Sequence, residues 1–145
     1  MRAVVQRVTR AAVHSEGVLA GSIGPGLCVL IGVTHDDTEQ CVRKMADKLW
    51  NLRVMADHDG VMNRSVADTT KSLLIVSQFT LYGDTERGRR PSWVNAARPE
   101  HAEPLIEQLV HELRALGAVV ETGRFRTDMQ LELVNDGPVT VLVET

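Results

Sequence analysis

The sequence has 145 residues, and its 16 lysines and arginines against 19 aspartates and glutamates give a formal net charge of −3. This length suits one domain with its own core, and a hydrophobic fraction of 43% with 24% charged residues excludes disordered, collagen-like and coiled-coil proteins. The negative charge also argues against a protein that coats nucleic acid non-specifically, because such binding depends on neutralising many phosphates.

Apolar runs and cysteines predict the compartment. No segment approaches the roughly 18 consecutive apolar residues that a membrane span needs, and residues 1–5 show no signal-peptide pattern. Cys28 and Cys41 form neither a metal-type pair nor a secreted disulfide framework, and Cys28 reads as a small core residue. We therefore expect a cytoplasmic protein with no membrane partner.

The first part of the chain is rich in short β-type segments. Turns are predicted at Glu16-Gly17 and at Gly24-Pro25-Gly26. The segment after the second turn is almost entirely apolar, which is typical of a strand buried on both faces. The predicted strands span residues 2–8, 10–16, 18–23 and 27–33.

The middle of the chain changes to a helical period. Apolar residues at three- and four-residue steps predict an amphipathic helix over 38–54, followed by a polar turn at 57–60. Pro99-Glu100 opens a second helix, and Gly117 is placed to end it.

A central strand is predicted over 73–82, and three closing strands over 118–125, 129–135 and 139–144. Many short strands around two main helices predict an α+β fold with a curved, barrel-like sheet, in a single domain over 1–145.

The end of the central strand is the first candidate site. Four apolar residues run into Ser77, Gln78, Phe79, Thr80, Leu81 and Tyr82. Propensity alone makes Thr80 a strand former and Gln78 a solvent-facing residue. In the functional interpretation, backbone N–H groups at the strand end hold a developing oxyanion.

The second candidate is the segment Asn135-Asp136-Gly137-Pro138-Val139-Thr140. Asp-Gly between two β-type runs indicates a hairpin turn, although Pro138 cannot donate into a ladder. In the functional interpretation, a cis Gly137-Pro138 bond turns both carbonyls the same way and forms an acceptor pair.

Arginines supply the remaining candidates. Arg87, Arg89 and Arg90 lie in a Gly-rich loop that precedes Trp93, and such a loop could bind phosphate or simply be solvated. Arg7 lies in the apolar first strand and needs a partner there. The histidine–aspartate pairs at 35–37 and 58–59 lack the spacing of a metal site, so we expect no metal.

Together these segments resemble the D-aminoacyl-tRNA deacylase family, with the strand-end motif and the Asn-Asp-Gly-Pro-Val-Thr motif as the most specific pair. The sequence departs from the family's pattern at Arg64, Trp93 and Arg126-Thr127. The resemblance implies that Arg126-Thr127 lies near a segment that lines the substrate pocket. The matching segments occur in the family's order at residues 1–8, 24–26, 77–82, 88–92, 96–100 and 135–140.

The resemblance implies a homodimer that hydrolyses the ester between a D-amino acid and the 3′ end of tRNA, with no cofactor and no DNA partner. It places the active site at the dimer interface, where residues 77–80 of one subunit meet Gly137-Pro138 of the other. Gly137, Pro138 and Arg7 would then bind substrate and select its chirality, and Arg87, Arg89 and Arg90 would contact tRNA.

Two mechanisms are compatible with this assignment. Thr80 could attack the ester, or backbone donors near Phe79 and Thr80 could hold the carbonyl while the ribose 2′-hydroxyl orients water. The second is favoured because no base is placed to activate Thr80. Two other functions stay open: a deacylase specialised for mischarged L- or glycyl-tRNA, and a non-catalytic dimer that binds an amino acid or a nucleotide end.

Overall fold

The computed structural model describes residues 1–86 and 88–145. Within these ranges the chain forms two α-helices, eight strands and one 3-10 helix, which confirms the predicted α+β class. The strands are β1 (Arg2–Ser15), β2 (Val18–Ile23), β3 (Gly26–Gly32), β4 (Met55–Ala56), β5 (Met62–Arg64), β6 (Ser72–Ser77), β7 (Val119–Thr122) and β8 (Met129–Glu144). The helices are α1 (Glu39–Asn51) and α2 (Pro99–Ala115), and the 3-10 helix spans Phe79–Tyr82.

Strand β1 organises the main sheet. In the described part of the chain, the strand order is β2-β1-β3-β6-β7, and β8 also pairs with β1. The β3–β6 and β6–β7 pairs are parallel and those of β1 are antiparallel, so the sheet is mixed. A Cβ added at Gly21 in β2 would lie 2.7 Å from the Thr122 carbonyl oxygen in β7. The two ends of the sheet therefore come close, and the predicted barrel-like curvature is confirmed.

Two hydrophobic clusters lie on opposite faces of β3. Leu27, Val29 and Ile31 pack into the cluster that α1 and α2 cover, whereas Cys28 packs into a second cluster with Val76. This confirms that β3 is buried on both faces, which explains its unbroken apolar run. Burial raises the pKa of Cys28 to about 11, as expected of a core thiol.

Both helices follow the predicted pattern. Helix α1 ends at Asn51, somewhat before the predicted boundary, and α2 begins with Pro99 in its first turn, where its missing N–H costs nothing. Gly117 has a φ of 101°, the left-handed conformation of a helix-ending glycine. In the described ranges, neither helix is long and apolar enough to cross a membrane.

The predicted central strand over 73–82 is wrong in its second half. Strand β6 ends at Ser77, and the next residues turn into the 3-10 helix. The Gln78 N–H still donates to the Ile31 carbonyl over 2.8 Å, but the Gln78 carbonyl then accepts from Leu81 N–H. Gly32 permits this turn, since a Cβ there would lie 3.0 Å from the Gln78 carbonyl oxygen.

The strand boundaries near both ends of the chain also differ from prediction. Residues 2–8 and 10–16 belong to one long strand, β1. Residues 129–135 and 139–144 likewise belong to one strand, β8, and the predicted turn between them is a bulge. The predicted strand 118–125 shortens to β7, and the turn at 57–60 joins β4 to β5 in a small hairpin that was not predicted.

The close approach of β3 to β6 gives a stability prediction. A Cβ at Gly26 would overlap the backbone carbonyl oxygen of Ser72, whereas a Cβ at Gly24 meets nothing within 4 Å. We expect Gly26→Ala to lower the free energy of unfolding by about 1–3 kcal/mol or more, because backbone must move. Gly24→Ala should stay within about 0.5 kcal/mol of the parent. Chemical denaturation of the two variants measures the difference, and equal stabilities would contradict this packing.

Candidate active site

The end of β6 presents two backbone donors to solvent. Phe79 and Thr80 are exposed, while Ser77 and Gln78 are half-buried. Among the described residues, no acceptor is found for the N–H groups of Phe79 and Thr80, as expected at the start of a helical turn. The strand end therefore offers two neighbouring donors to an oxygen that approaches from outside.

The Thr80 hydroxyl lies beside Gln78 and accepts a hydrogen bond from the Gln78 side-chain amide. In the described part of the chain, no histidine or carboxylate is hydrogen-bonded to that hydroxyl. A nucleophilic hydroxyl needs a base that takes its proton. An amide that donates to the oxygen does the opposite, because it draws electron density away from it.

A cavity of about 820 Å³ opens against this strand end. Ser77, Gln78 and Phe79 form one side, and the segment from Phe125 to Met129 lies in the same lining. Its size suits a small molecule or the terminal nucleoside of a chain. A smaller cavity of about 320 Å³ lies beside it, between α2 and the strands β6 and β7, and shares Ser77 and Phe125.

Two aromatic rings stand at the cavity. Phe79 and Trp93 pack edge to face, with ring centroids 5.4 Å apart, yet they are 57% and 42% exposed. Gly83 makes room for the indole, because a Cβ there would lie 2.5 Å from Trp93 Cζ3. Exposed aromatic rings beside a cavity are suited to contact a planar ligand.

The sequence departure at Arg126-Thr127 lies in the lining of the larger cavity. Arg126 has a φ of 58°, in the left-handed region that disfavours residues with a Cβ. Thr127 fixes the segment through a 2.7 Å hydrogen bond between its hydroxyl and that of Ser15. In this chain, Arg126 is therefore part of the cavity lining. Arg64 instead lies on the exposed strand β5 and donates a hydrogen bond to the Asp68 carbonyl.

Gly137 and Pro138 are exposed on β8 and are joined by a cis peptide bond. Gln6 pairs with Thr140 and Val8 with Asn135, so the four residues 136–139 stand opposite Arg7 alone. Within one chain, the lining found for the larger cavity contains neither Gly137 nor Pro138.

Arg7 finds the partners that the sequence requires. Its Nε lies 3.0 Å from the Asp136 carbonyl oxygen and 2.9 Å from Asp136 Oδ2, and Nη1 donates to the Val54 carbonyl over 2.7 Å. The side chain is only 13% exposed, so the guanidinium is largely enclosed. Arg7 therefore fastens the base of the bulge to β1 and to the segment after α1.

Asn135 begins the second candidate segment, but the sequence analysis gave its side chain no role of its own. Its amide nitrogen donates to the Arg7 carbonyl over 2.9 Å and to the Val139 carbonyl over 3.0 Å. One side chain thus holds both ends of the bulge. Asparagine supplies two N–H donors on a short side chain, but one of its two partners here, the Arg7 carbonyl, is remote in sequence.

The two described arginines of the Gly-rich loop, Arg89 and Arg90, are absent from the cavity lining. Asp84 and Ser92 pair through two backbone hydrogen bonds of 2.8 and 2.9 Å, and Arg89 and Arg90 are exposed. Arg87, the third arginine proposed to contact tRNA, lies outside the described residues.

The polar turn at 57–60 brings possible ligand atoms of Asp57, His58 and Asp59 within 4.8 Å of one another. Asp57 Oδ1 accepts the N–H groups of Val61 and Asp59, each over 2.9 Å. These bonds, that of Val61 foremost, lower the pKa of Asp57. The carboxylate thereby closes the hairpin turn, as Asx turns do.

Similarity to known proteins extends over the whole chain. The model of the D-Tyr-tRNA(Tyr) deacylase family matches residues 4–144. A protein of Symbiobacterium thermophilum called D-aminoacyl-tRNA deacylase is 56% identical and covers 100% of this chain and 96% of its own. A protein of Halalkalibacterium halodurans with the same name is 52% identical, and the match covers 100% of this chain and 99% of that protein.

Solved structures show the same fold. A structure described as c-Myc DNA Unwinding Element Binding Protein matches with a TM-score of 0.93 and 39% identity, over 100% of this chain and 99% of its own. A probable eukaryotic D-amino acid tRNA deacylase matches with a TM-score of 0.84 over 99% and 98%, and at 17% identity this shows the fold alone. This chain therefore shares its barrel-like α+β fold with both of these proteins. The chain belongs to the D-Tyr-tRNA(Tyr) deacylase family.

The two bonds of Asn135 lead to a prediction. Asn135→Asp keeps the shape but replaces the donating amide by an oxygen that faces the Arg7 and Val139 carbonyls. We expect a loss of about 1–3 kcal/mol in unfolding free energy, because two acceptors lose their donor. Asn95→Asp makes the same charge change at an exposed residue and should be nearly neutral. Thermal unfolding of both variants is the measurement, and equal melting temperatures would contradict the role of the two Asn135 hydrogen bonds.

Proposed function

We propose that this protein hydrolyses the ester bond that joins a D-amino acid to the 3′ end of tRNA, releasing both. The proposal depends chiefly on the N–H groups of Phe79 and Thr80, for which no acceptor is found among the described residues, at a strand end whose Ser77, Gln78 and Phe79 line a cavity of about 820 Å³. The chain belongs to a family in which similar proteins of the same length are named D-aminoacyl-tRNA deacylases, and this supports the proposed reaction over others. The biological role is removal of D-amino acids attached to tRNA.

The reaction needs an oxyanion to be stabilised and water to be delivered. In the proposed mechanism, the N–H groups of Phe79 and Thr80 hold the carbonyl oxygen of the ester as negative charge develops on it. The 2′-hydroxyl of the terminal ribose orients the attacking water, whose oxygen joins the carbonyl carbon while the 3′ oxygen leaves with a proton. Ser77 and Gln78 fix the direction of this strand end, and no protein nucleophile takes part.

The homodimer supplies the second half of the proposed site. Gly137 and Pro138 stand exposed on a bulge held by Arg7 and Asn135, which suits a segment that enters a neighbouring subunit. In a two-fold dimer, each bulge would reach the other subunit's cavity. Their carbonyls would hold the substrate ammonium and crowd the space beside its Cα.

This arrangement selects chirality by exclusion. An L side chain would point into the crowded space, whereas a D side chain would point out of it. Arg7 contributes by holding the bulge in place. Glycine carries only hydrogen on its Cα, so a steric filter of this kind would also accept mischarged glycyl-tRNA.

Contacts to the tRNA body are proposed for the loop that carries Arg87, Arg89 and Arg90. The exposure of Arg89 and Arg90 supports this role. With a net charge of −3, the protein suits a local grip on one RNA end and does not suit binding along a DNA duplex.

Parallel assays on D-tyrosyl-, L-tyrosyl- and glycyl-tRNA test this function. We expect rapid release of D-tyrosine, measurable release of glycine and no release of L-tyrosine above the spontaneous rate. Hydrolysis of the L or glycyl ester without the D ester would favour the specialised deacylase. Stable binding of all three without hydrolysis would favour a binding protein. Either result would contradict the proposal.

The Thr80 hydroxyl provides a test of the mechanism. Thr80→Val removes the hydroxyl and keeps the side chain's shape and the backbone N–H. We expect less than about a tenfold loss of kcat, against roughly a millionfold when a true nucleophile is removed. Rapid quenching of the parent protein with D-tyrosyl-tRNA provides a second measurement, in which an acyl group on Thr80 would contradict the mechanism.

A further inference from the structure

The 3-10 helix Phe79–Tyr82 carries both proposed oxyanion donors, yet none of its four residues, all within the described ranges, is buried. The hydrophobic core therefore does not hold this helix in place. Its start is tied to β3 through the 2.8 Å bond from Gln78 N–H to the Ile31 carbonyl. Its far end needs a separate attachment if the N–H groups of Phe79 and Thr80 are to keep one direction.

Arg2 provides that attachment. In β1 it pairs with Gly32 of β3 on one edge and with Glu144 of β8 on the other. Its Nη1 donates to the Leu81 carbonyl over 2.8 Å, and its guanidinium carbon lies 4.9 Å from the centre of the Tyr82 ring. Its Nε lies 2.5 Å from Glu144 Oε1. One side chain thus joins the far end of the 3-10 helix to two strands.

These three contacts use the particular shape of a guanidinium. Its planar fork donates along two edges while its face lies over an aromatic ring, and an ammonium group cannot do both. The Tyr82 ring is a neutral phenol at physiological pH, as an ordinary tyrosine is, and burial is the largest of the effects that raise its pKa further, to about 12. The Glu144 carboxylate orients the guanidinium, and because both side chains are partly exposed, the ion pair adds little to stability.

We propose that Arg2 is a positioning residue for the deacylation reaction, acting through Leu81 and Tyr82 on the N–H groups of Phe79 and Thr80. This inference rests on the proposed function. Arg2 contacts the far end of the donor-bearing helix and not the cavity itself. Its loss is therefore felt in the chemical step more than in substrate binding.

The kinetic test compares Arg2→Gln and Arg2→Lys with Arg43→Gln, which breaks an exposed 3.5 Å ion pair with Glu39 on α1. For both Arg2 variants we expect kcat on D-tyrosyl-tRNA to fall about 10- to 100-fold, because small displacements of oxyanion donors are costly. KM should stay within about threefold, since binding contacts remain. Arg43→Gln should behave as the parent. Loss in Arg2→Lys as well as in Arg2→Gln separates the planar fork from simple charge.

A spectroscopic signal reports the contact between Arg2 and Tyr82 independently of enzyme activity. Tyr82 is the chain's only tyrosine, so 3-fluorotyrosine labelling gives a single ¹⁹F resonance next to Arg2. We expect this resonance to shift in both Arg2 variants and not in Arg43→Gln, while the melting temperature changes by no more than about 3 °C.

The outcomes separate the inference from the function on which it rests. An unchanged kcat, an unchanged resonance, or a kcat loss matched by general unfolding would each overturn the positioning role. A parent protein inactive on D-tyrosyl-tRNA would overturn the proposed function and the catalytic role of Arg2 together, and the ¹⁹F resonance would still decide whether Arg2 holds Tyr82.

Discussion

The pairing of β1 along both of its edges is the constraint on which the rest of the structure depends. One edge pairs with β3 and then with β2, and the other pairs with β8. A strand with both edges paired cannot change register without breaking the hydrogen bonds of two ladders. A shift of one residue would also turn its buried side chains outward. The four residues of β8 that stand opposite Arg7 therefore leave the ladder as a bulge, in which residues 136–138 are exposed and Val139 packs into the core.

The same strand connects to both halves of the proposed site. Arg7 fastens the bulge that carries Gly137 and Pro138. Arg2, five residues earlier, fastens the 3-10 helix that carries Phe79 and Thr80. These attachments are polar, and the site elements they hold are exposed. Aliphatic cores thus hold the sheet, and arginine contacts hold the exposed elements of the proposed site.

Much of the fold could be predicted from local sequence patterns. The unbroken apolar run of β3, the period of α1, Pro99 at the start of α2 and Gly117 after its end each indicate one structure. The segment from Phe79 to Tyr82 does not, because aromatic and β-branched residues fit a strand as well as a turn. The turn after Ser77 depends on the missing side chain at Gly32, where a Cβ would lie 3.0 Å from the Gln78 carbonyl oxygen, and Gly32 is remote in sequence.

The proposed site was likewise only partly predictable from local sequence patterns. The motifs at residues 77–82 and 135–140 indicated the family. Asp-Gly-Pro was nevertheless wrongly assigned to a hairpin turn, because only the pairing with β1 makes it a bulge. Asn135 and Arg2 were not singled out as site residues, because their roles depend on carbonyl groups far along the chain.

The central claim is that each active site is built from two copies of the chain, and subunit mixing tests it most directly. Phe79→Pro removes one N–H donor, and in Gly137→Ala the new Cβ would overlap Asn135 Oδ1. Each variant alone should be inactive on D-tyrosyl-tRNA. Refolded together in equal amounts, they should recover about a quarter of the parent activity, because half of the dimers would be mixed and each would hold one intact site. If both variants are inactive alone and mixing restores no activity, the shared site is contradicted.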